Sequence, residues 1–224
     1  LNYYLAAAYR KNGQPAEAKK VYDAILGLKP EEKDAYFLRG SAELELGDYE
    51  SAKADFDKAI SMEPKTYERQ IEIYEALAVY GYREVGQEYL QNVLNTDKKL
   101  DTYDSGRIYY YLGDYQKASL ALEEAKGKGG VDSYLYLGKA YAATGDYNYA
   151  SSVYSNYLSK QGPDAEIYNQ LGLCEMAKKD YQKALEAFQA GKQIEGNSLM
   201  QTLSFNEIEA YEYLQDYQKA AVLL

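Results

Sequence analysis

Histidine is absent from this 224-residue chain. The commonest general base and commonest metal ligand are therefore missing. A Ser-His or Cys-His catalytic pair cannot form within the chain. Tryptophan is absent too, and Cys174 stands alone, which excludes an internal disulfide and a cysteine-based zinc cage. No apolar run approaches the ~20 residues that span a bilayer. Basic residues are in deficit, with 25 Lys and Arg against 35 Asp and Glu, a net charge of −10. A nucleic-acid binder neutralises phosphates and needs a basic face, so nucleic acid is not an expected partner. Residues 1–112 and 113–224 each carry a net −5. Solubility accounts for a charge spread this evenly.

Other chemical signatures fail on spacing. Glu123 and Glu124 are adjacent on an expected helix and point apart, as a solvated face does. Gly127-Lys128-Gly129-Gly130 lacks the Ser or Thr that follows a phosphate-binding Gly-Lys pair, and no strand precedes it. It reads as a loop between repeats. Asp97, Asp101 and Asp104 lack the spacing of a calcium loop. No catalytic residue, cofactor or metal is expected.

What the chain does have is a repeat. Gly47-Asp48-Tyr49 recurs as Gly113-Asp114-Tyr115 and Gly145-Asp146-Tyr147. Looser copies are Gly13-Gln14-Pro15, Gly81-Tyr82-Arg83, Lys179-Asp180-Tyr181 and Gln215-Asp216-Tyr217. The seven turns are spaced by 34, 34, 32, 32, 34 and 36 residues. Helical patterns flank each one. After the second turn, Ala52, Phe56, Ala59 and Ile60 fall on one helix face. Gly47 suits the left-handed residue that ends a helix, and Asp48 suits the cap that starts the next. Pro30, Pro64 and Pro163 mark where one unit gives way to another.

These residues resemble the tetratricopeptide repeat, a helix–turn–helix unit of 34 residues, over essentially the whole chain. The family's small residue of the first helix falls on Ala6, Gly40, Gly106, Gly138 and Gly172. The aromatic three residues later falls on Tyr9, Tyr109 and Tyr141, with Glu43 and Glu175 as departures. The Ala of the second helix falls on Ala18, Ala52, Ala118, Ala150, Ala184 and Ala220, and the aromatic after it on Tyr22, Phe56, Tyr154 and Phe188. In the third unit Tyr74 holds the small-residue place and Gly86 the Ala place, a swap of large and small across one contact.

The resemblance implies an all-α, right-handed α-solenoid of antiparallel helix pairs. One solenoid over 1–224 is expected, with units near 1–32, 33–66, 67–98, 99–130, 131–164, 165–200 and 201–224. First helices are expected at 32–46, 65–80, 99–112, 131–144, 164–178 and 198–214. Second helices are expected at 15–28, 49–62, 83–96, 115–127, 147–160, 181–195 and 217–224. Leu1 to Tyr4 read as mid-helix and Ala221 to Leu224 as the inside of a second helix, so a section of a longer array is expected. The lone cysteine fits either redox compartment, and a cytoplasmic or an anchored extracytoplasmic location suits the chain equally.

Tyrosine is the abundant residue, 28 of 224. Tyr49, Tyr115, Tyr147, Tyr181 and Tyr217 follow the turns and read as packing residues. In the resembled family the first helices line a concave groove. Carried over by helical phase, the groove places are Tyr3, Arg10 and Lys11, then Phe37, Leu44 and Glu45, then Ile71, Glu75 and Val79. Tyr103, Arg107, Tyr110 and Tyr111 follow, then Leu135, Lys139 and Ala142, then Asn169, Leu173 and Met176, and last Phe205, Glu209 and Tyr213. Tyr and Arg are favoured interface anchors. The expected binding surface is therefore Phe37, Ile71, Glu75, Tyr103, Arg107, Tyr110, Tyr111, Leu135, Lys139, Phe205 and Tyr213. Its centre is the Tyr103–Tyr111 stripe, with Arg107 and Lys139 placed to pair an acidic group.

The function expected is a non-enzymatic scaffold holding a peptide or protein segment in that groove. The alternatives are a cell-surface binder of a glycan or small molecule, and a homo-oligomeric assembly part joined through its C-terminal end. The Lys, Asn and Arg clamp of chaperone-binding family members is not expected, because most of the corresponding places here are apolar, acidic or aromatic.

Overall fold

The computed structural model describes residues 2–63, 67–97, 99–125 and 127–223. Pro64, the first two residues of the helix expected at 65–80, Lys126 in the helix expected at 115–127, and both terminal leucines lie outside them. The described residues form fourteen helices and no strand. They pack as two compact units, Leu1–Lys98 and Lys99–Leu224. The first unit holds α1 (Asn2–Lys11), α2 (Pro15–Leu28), α3 (Lys33–Glu45), α4 (Tyr49–Met62), α5 (Glu68–Val79) and α6 (Arg83–Thr96). The second holds α7 (Thr102–Tyr111), α8 (Tyr115–Glu124), α9 (Val131–Ala143), α10 (Tyr147–Gln161), α11 (Ala165–Ala177), α12 (Tyr181–Lys192), α13 (Met200–Tyr213) and α14 (Tyr217–Val222). Odd-numbered helices are the first helices of each pair.

All seven turns close in the same way. The N–H of Gln14, Asp48, Tyr82, Asp114, Asp146, Asp180 and Asp216 each donates to the carbonyl five residues back, at 2.9 Å. This bond takes up one of the carbonyls that a helix end leaves without a partner. It requires a left-handed residue just before the donor. Glycine supplies it at Gly47, with φ 79°, but Lys179 and Gln215 adopt φ 64° and 60° with side chains in place. The next helix then starts on its aspartate. Asp48, Asp114, Asp180 and Asp216 accept from the N–H of Ser51, Lys117, Lys183 and Lys219. Asp146 differs, and accepts from the Thr144 hydroxyl at 3.1 Å instead.

Several helices are shorter than expected, each for a local reason. α7 starts at Thr102 because Asp101 accepts from the Tyr103 N–H at 2.8 Å and so caps it there. α8 stops at Glu124, ahead of Gly127, Gly129 and Gly130, all at positive φ. Asn197 binds the carbonyls of Gly191 and Ile194 and receives the Leu199 N–H, which makes a turn of the residues between α12 and α13.

Within a pair, the small residues set the approach. A Cβ on Gly40 would lie 2.8 Å from the Phe56 ring, and one on Gly106 would lie 2.6 Å from Leu122. On Gly138 and Gly172 it would overlap the rings of Tyr154 and Phe188. The third pair reverses the arrangement: a Cβ on Gly86 would lie 3.0 Å from Tyr74. Tyr74 is buried where other pairs carry a small residue. Ala18, Ala52, Ala118, Ala150 and Ala184 are wholly buried in the same contacts. Tyrosine serves both dry and half-wet places because its ring buries while its hydroxyl reaches a partner. Tyr22 and Tyr154 are core residues; Tyr9, Tyr109 and Tyr141 are half-buried against it. Of the tyrosines after the turns, Tyr49 stacks on Tyr82 at 4.5 Å and Tyr181 on Tyr213 at 4.8 Å. Tyr115 packs on Tyr110 at 5.7 Å, Tyr147 is half-buried, and Tyr217 is exposed.

Candidate functional site

First helices pack mainly on second helices, and a few of their side chains also join one first helix to the next. In the second unit the joint between α7 and α9 is aromatic. Arg107 is 6% exposed, and its guanidinium lies 5.3 Å from the ring centres of both Tyr103 and Tyr136. Such stacking suits a weakly hydrated planar cation. Tyr111 and Tyr136 share a hydroxyl–hydroxyl bond of 2.7 Å. Tyr110 meets Tyr111 and Tyr136 edge to face. The joint between α9 and α11 is the Lys139–Glu166 ion pair at 3.4 Å. Between α11 and α13 it is the amide pair Asn206–Asn169 at 2.8 Å, with Asn169 buried.

The stripe expected on α7 is thus brought together, but as a packed joint. Arg107 lies beneath the surface, against the expectation that it meets a ligand's acidic group. Its guanidinium is engaged by the Tyr103 ring of its own helix and the Tyr136 ring of α9. Tyr103, Tyr110 and Tyr111 are half-buried. Tyr103 also lies over the joining loop, where a Cβ on Gly129 would sit 2.6 Å from its ring. Leu135 is half-buried against the core around Tyr154. Phe205 and Tyr213 are exposed, Phe205 at 59%. Phe205 holds the repeat place that Tyr103, Leu135 and Asn169 hold in earlier units, where the next helix pair covers it. Tyr136 was missed in the sequence. Its place, one residue after Leu135, turns toward the preceding first helix, a direction that phase alone would have supplied.

In the first unit α1, α3 and α5 surround a concavity lined by Arg10, Phe37, Ser41, Glu75, Val79 and Tyr80, among others. Four of the six are places read from the sequence. Ile71 is not among them: it is 1% exposed and belongs to the core. Ser41, Glu72, Ala76 and Tyr80 also line it and were missed, Ser41 and Ala76 because they are small and Tyr80 because it follows the end of α5. Phe37 packs on Phe56, with ring centres 5.9 Å apart, and carries the Arg69 guanidinium 4.6 Å above its ring. Arg69, itself buried, donates to Glu72 at 2.7 Å and Glu63 at 3.2 Å, and also to Asp34. Arg10 Nε donates to Glu45 at 2.7 Å and so ties α1 to α3. Burial pushes the Tyr80 hydroxyl up, with Glu45 adding to the effect.

Cys174 is buried, and burial pushes its thiol up to about 11, so it stays protonated and unreactive. The loop from Gly127 to Gly130 joins α8 to α9, with the Ser133 hydroxyl donating to the Gly130 carbonyl. Among the described residues no helix is long and apolar enough to cross a membrane.

The model of one repeat family, described as the tetratricopeptide repeat, matches residues 3–78, 103–150 and 135–198. Solved structures share the fold at low identity. A tetratricopeptide repeat protein from Parabacteroides merdae superposes with a TM-score of 0.62 at 15% identity, over 93% of this chain and 82% of that one. PilW, described as a widely conserved type IV pilus biogenesis factor, superposes at 0.56 and 18% identity, over 90% and 96%. Yeast Tom70 superposes at 0.64 and 16% identity, with this chain covered to 94% and spanning 47% of Tom70.

Proposed function

The chain belongs to the tetratricopeptide repeat family, and from that premise we propose that it is a non-enzymatic scaffold holding a protein or peptide segment against its first helices. The observation that carries this is the concavity of the first unit. Its wall combines an exposed aliphatic residue, Val79, with the half-buried Phe37 and the carboxylate of Glu75. An apolar patch flanked by a few placed polar groups is the usual make-up of a recognition surface. In the second unit the proposed surface is Tyr103, Tyr110, Tyr111, Leu135, Lys139, Phe205 and Tyr213, with Arg107 supporting the rings from below.

A photo-crosslinking amino acid at position 79, and in a second variant at position 58 on the outer helix α4, tests the reading in source-cell extract. The scaffold reading expects discrete protein adducts from position 79. Adducts from position 58 alone would move binding to the second helices and overturn it.

A second reading, self-association through the last helix pair, draws on the exposed Phe205, Tyr217 and Val222. Light scattering of the purified chain across a concentration series decides it; a constant monomer mass ends it.

A further inference from the structure

Successive first helices meet in a repeated register. Glu45, two residues before its turn, bonds Arg10 of the helix before it. Tyr136 and Asn206, each nine residues before its turn, bond Tyr111 and Asn169 of the helix before them. On α1 the same two places hold Lys11 and Tyr4. Both are exposed, Tyr4 at 82%, and two helical turns on one face separate them. α1 carries Arg10 and Lys11 and no acidic residue. Lys11 makes no ion pair among the described residues.

α13 presents the opposite charge. The places that meet the next first helix elsewhere hold Phe205, Glu209, Glu212 and Tyr213 on this helix, all exposed. α13 has three carboxylates and no cation. Glu209 and Glu212 make no ion pair among the described residues. The tyrosine after a turn can face the same way: Tyr181 stacks on Tyr213, two residues before the next turn. Tyr217 holds that place after the last turn and is 65% exposed.

We infer that a second copy of this chain packs its α1 on the α13 face of the first, head to tail, in the register that joins first helices within the chain. Lys11 then meets Glu212 as Glu45 meets Arg10, with the charges exchanged. Tyr4 reaches Tyr213 as Tyr136 reaches Tyr111. The Tyr217 ring faces Lys11 and attracts its ammonium. This deepens the self-association reading above and rests on it, by naming the surface that meets the last helix pair. Charge selects the pairing: α13 against α13 would set carboxylates side by side, and α1 against α1 would do the same with cations. A contact between two different faces is heterologous, so copies can add in series.

The test is sedimentation equilibrium of the full chain over a concentration series, with circular dichroism to check each variant's helix content. The wild-type mass is expected to rise above the monomer with concentration. Lys11→Glu and Glu212→Lys are each expected to weaken association about tenfold or more. The variant carrying both changes restores an opposite-charge pair and is expected to return to within about threefold of the wild type. Lys58→Glu, an exposed change on α4, is expected to weaken association less than about twofold. Association that ignores Lys11→Glu but is weakened by Tyr217→Ala would overturn the α1 contact and leave self-association through the last helix pair standing. Equal losses from Lys11→Glu and Lys58→Glu, or no recovery in the double variant, would also overturn it. A wild-type mass that stays at the monomer ends this inference and the self-association reading together, and leaves the scaffold reading to crosslinking at position 79.

Discussion

The Lys19 ammonium lies 3.5 Å from Oε1 of Glu43, across the contact between the first and second repeats. The other carboxylate oxygen of Glu43, Oε2, is buried with no hydrogen-bond partner. Glu43 is 3% exposed and holds a place that tyrosine holds in four other repeats, at Tyr9, Tyr109, Tyr141 and Tyr211. Burial, and then the neighbouring Asp55, raise its pKa from 4.5 to about 7; Lys19 and Arg39 work against that rise.

The sign of the pH effect follows. A carboxyl whose pKa is higher folded than unfolded stabilises fully below the unfolded value, and that contribution is lost as pH rises through the folded value. The window here runs from about 4.5 to about 7, and the loss is of order 1–3 kcal/mol. Glu43→Gln should match the wild type near the lower end of that window and exceed it in stability at mildly alkaline pH. Urea unfolding of both proteins across the range checks this, and parallel curves would refute it.

Two glycines should respond to alanine with opposite signs. Gly138→Ala puts a Cβ into the ring of Tyr154, and overpacking should cost about 1–3 kcal/mol despite the better helix propensity of alanine. Gly27 has nothing within 4 Å of a built Cβ and sits in α2 without a positive φ, so Gly27→Ala should gain up to about 1 kcal/mol. Ala118→Leu, at a wholly buried contact, should behave like Gly138→Ala. Contacts in a repeat array are local, so hydrogen exchange should locate each loss in the altered pair and its neighbours. Uniform changes along the unit would contradict the assignment.

Lys179 and Gln215 hold a left-handed conformation that their side chains disfavour. Lys179→Gly and Gln215→Gly should each stabilise the chain by about 0.5–1 kcal/mol, because the relief of strain outweighs the added freedom of the unfolded chain. Gly47→Ala should lose about 1 kcal/mol at the equivalent position. Thermal melts of the three variants suffice, and a gain from Gly47→Ala would count against this account of the turn.

Arg69 should be the costliest single side chain in the first unit. Replacing it by Leu leaves Glu63, a mostly buried carboxylate, with Lys33 alone, and removes the cation above Phe37. Losing one partner of a buried ion pair costs about 3–5 kcal/mol. Partial exposure of Asp34 and Glu72 places the expected loss at the lower end. Arg69→Lys should recover little, since a point charge cannot bond three carboxylates and stack as well. Denaturation followed by signals from the first unit measures both variants; a Lys variant as stable as the wild type would show that charge alone matters.

The seven turns, the fourteen helices and the pairing of small with large side chains were legible in the sequence, because each depends on residues close together in the chain. Even the reversed pair Tyr74 and Gly86 could be read from register alone. The joints between first helices could not. Arg107 and Ile71 sit at helical phases that also suit a groove. Whether such a place meets water or a neighbour depends on how far one pair rotates against the next. That rotation is set by side chains some thirty residues away, such as Tyr136 for Arg107. The repeat and its capping chemistry were thus determined by local sequence, where hydrogen-bond geometry and helical period leave little choice. Which groove places became packing, and which stayed exposed as Val79 and Phe205 do, was decided only by the tertiary structure, because burial belongs to the sum of a residue's neighbours and no single stretch of chain contains that sum.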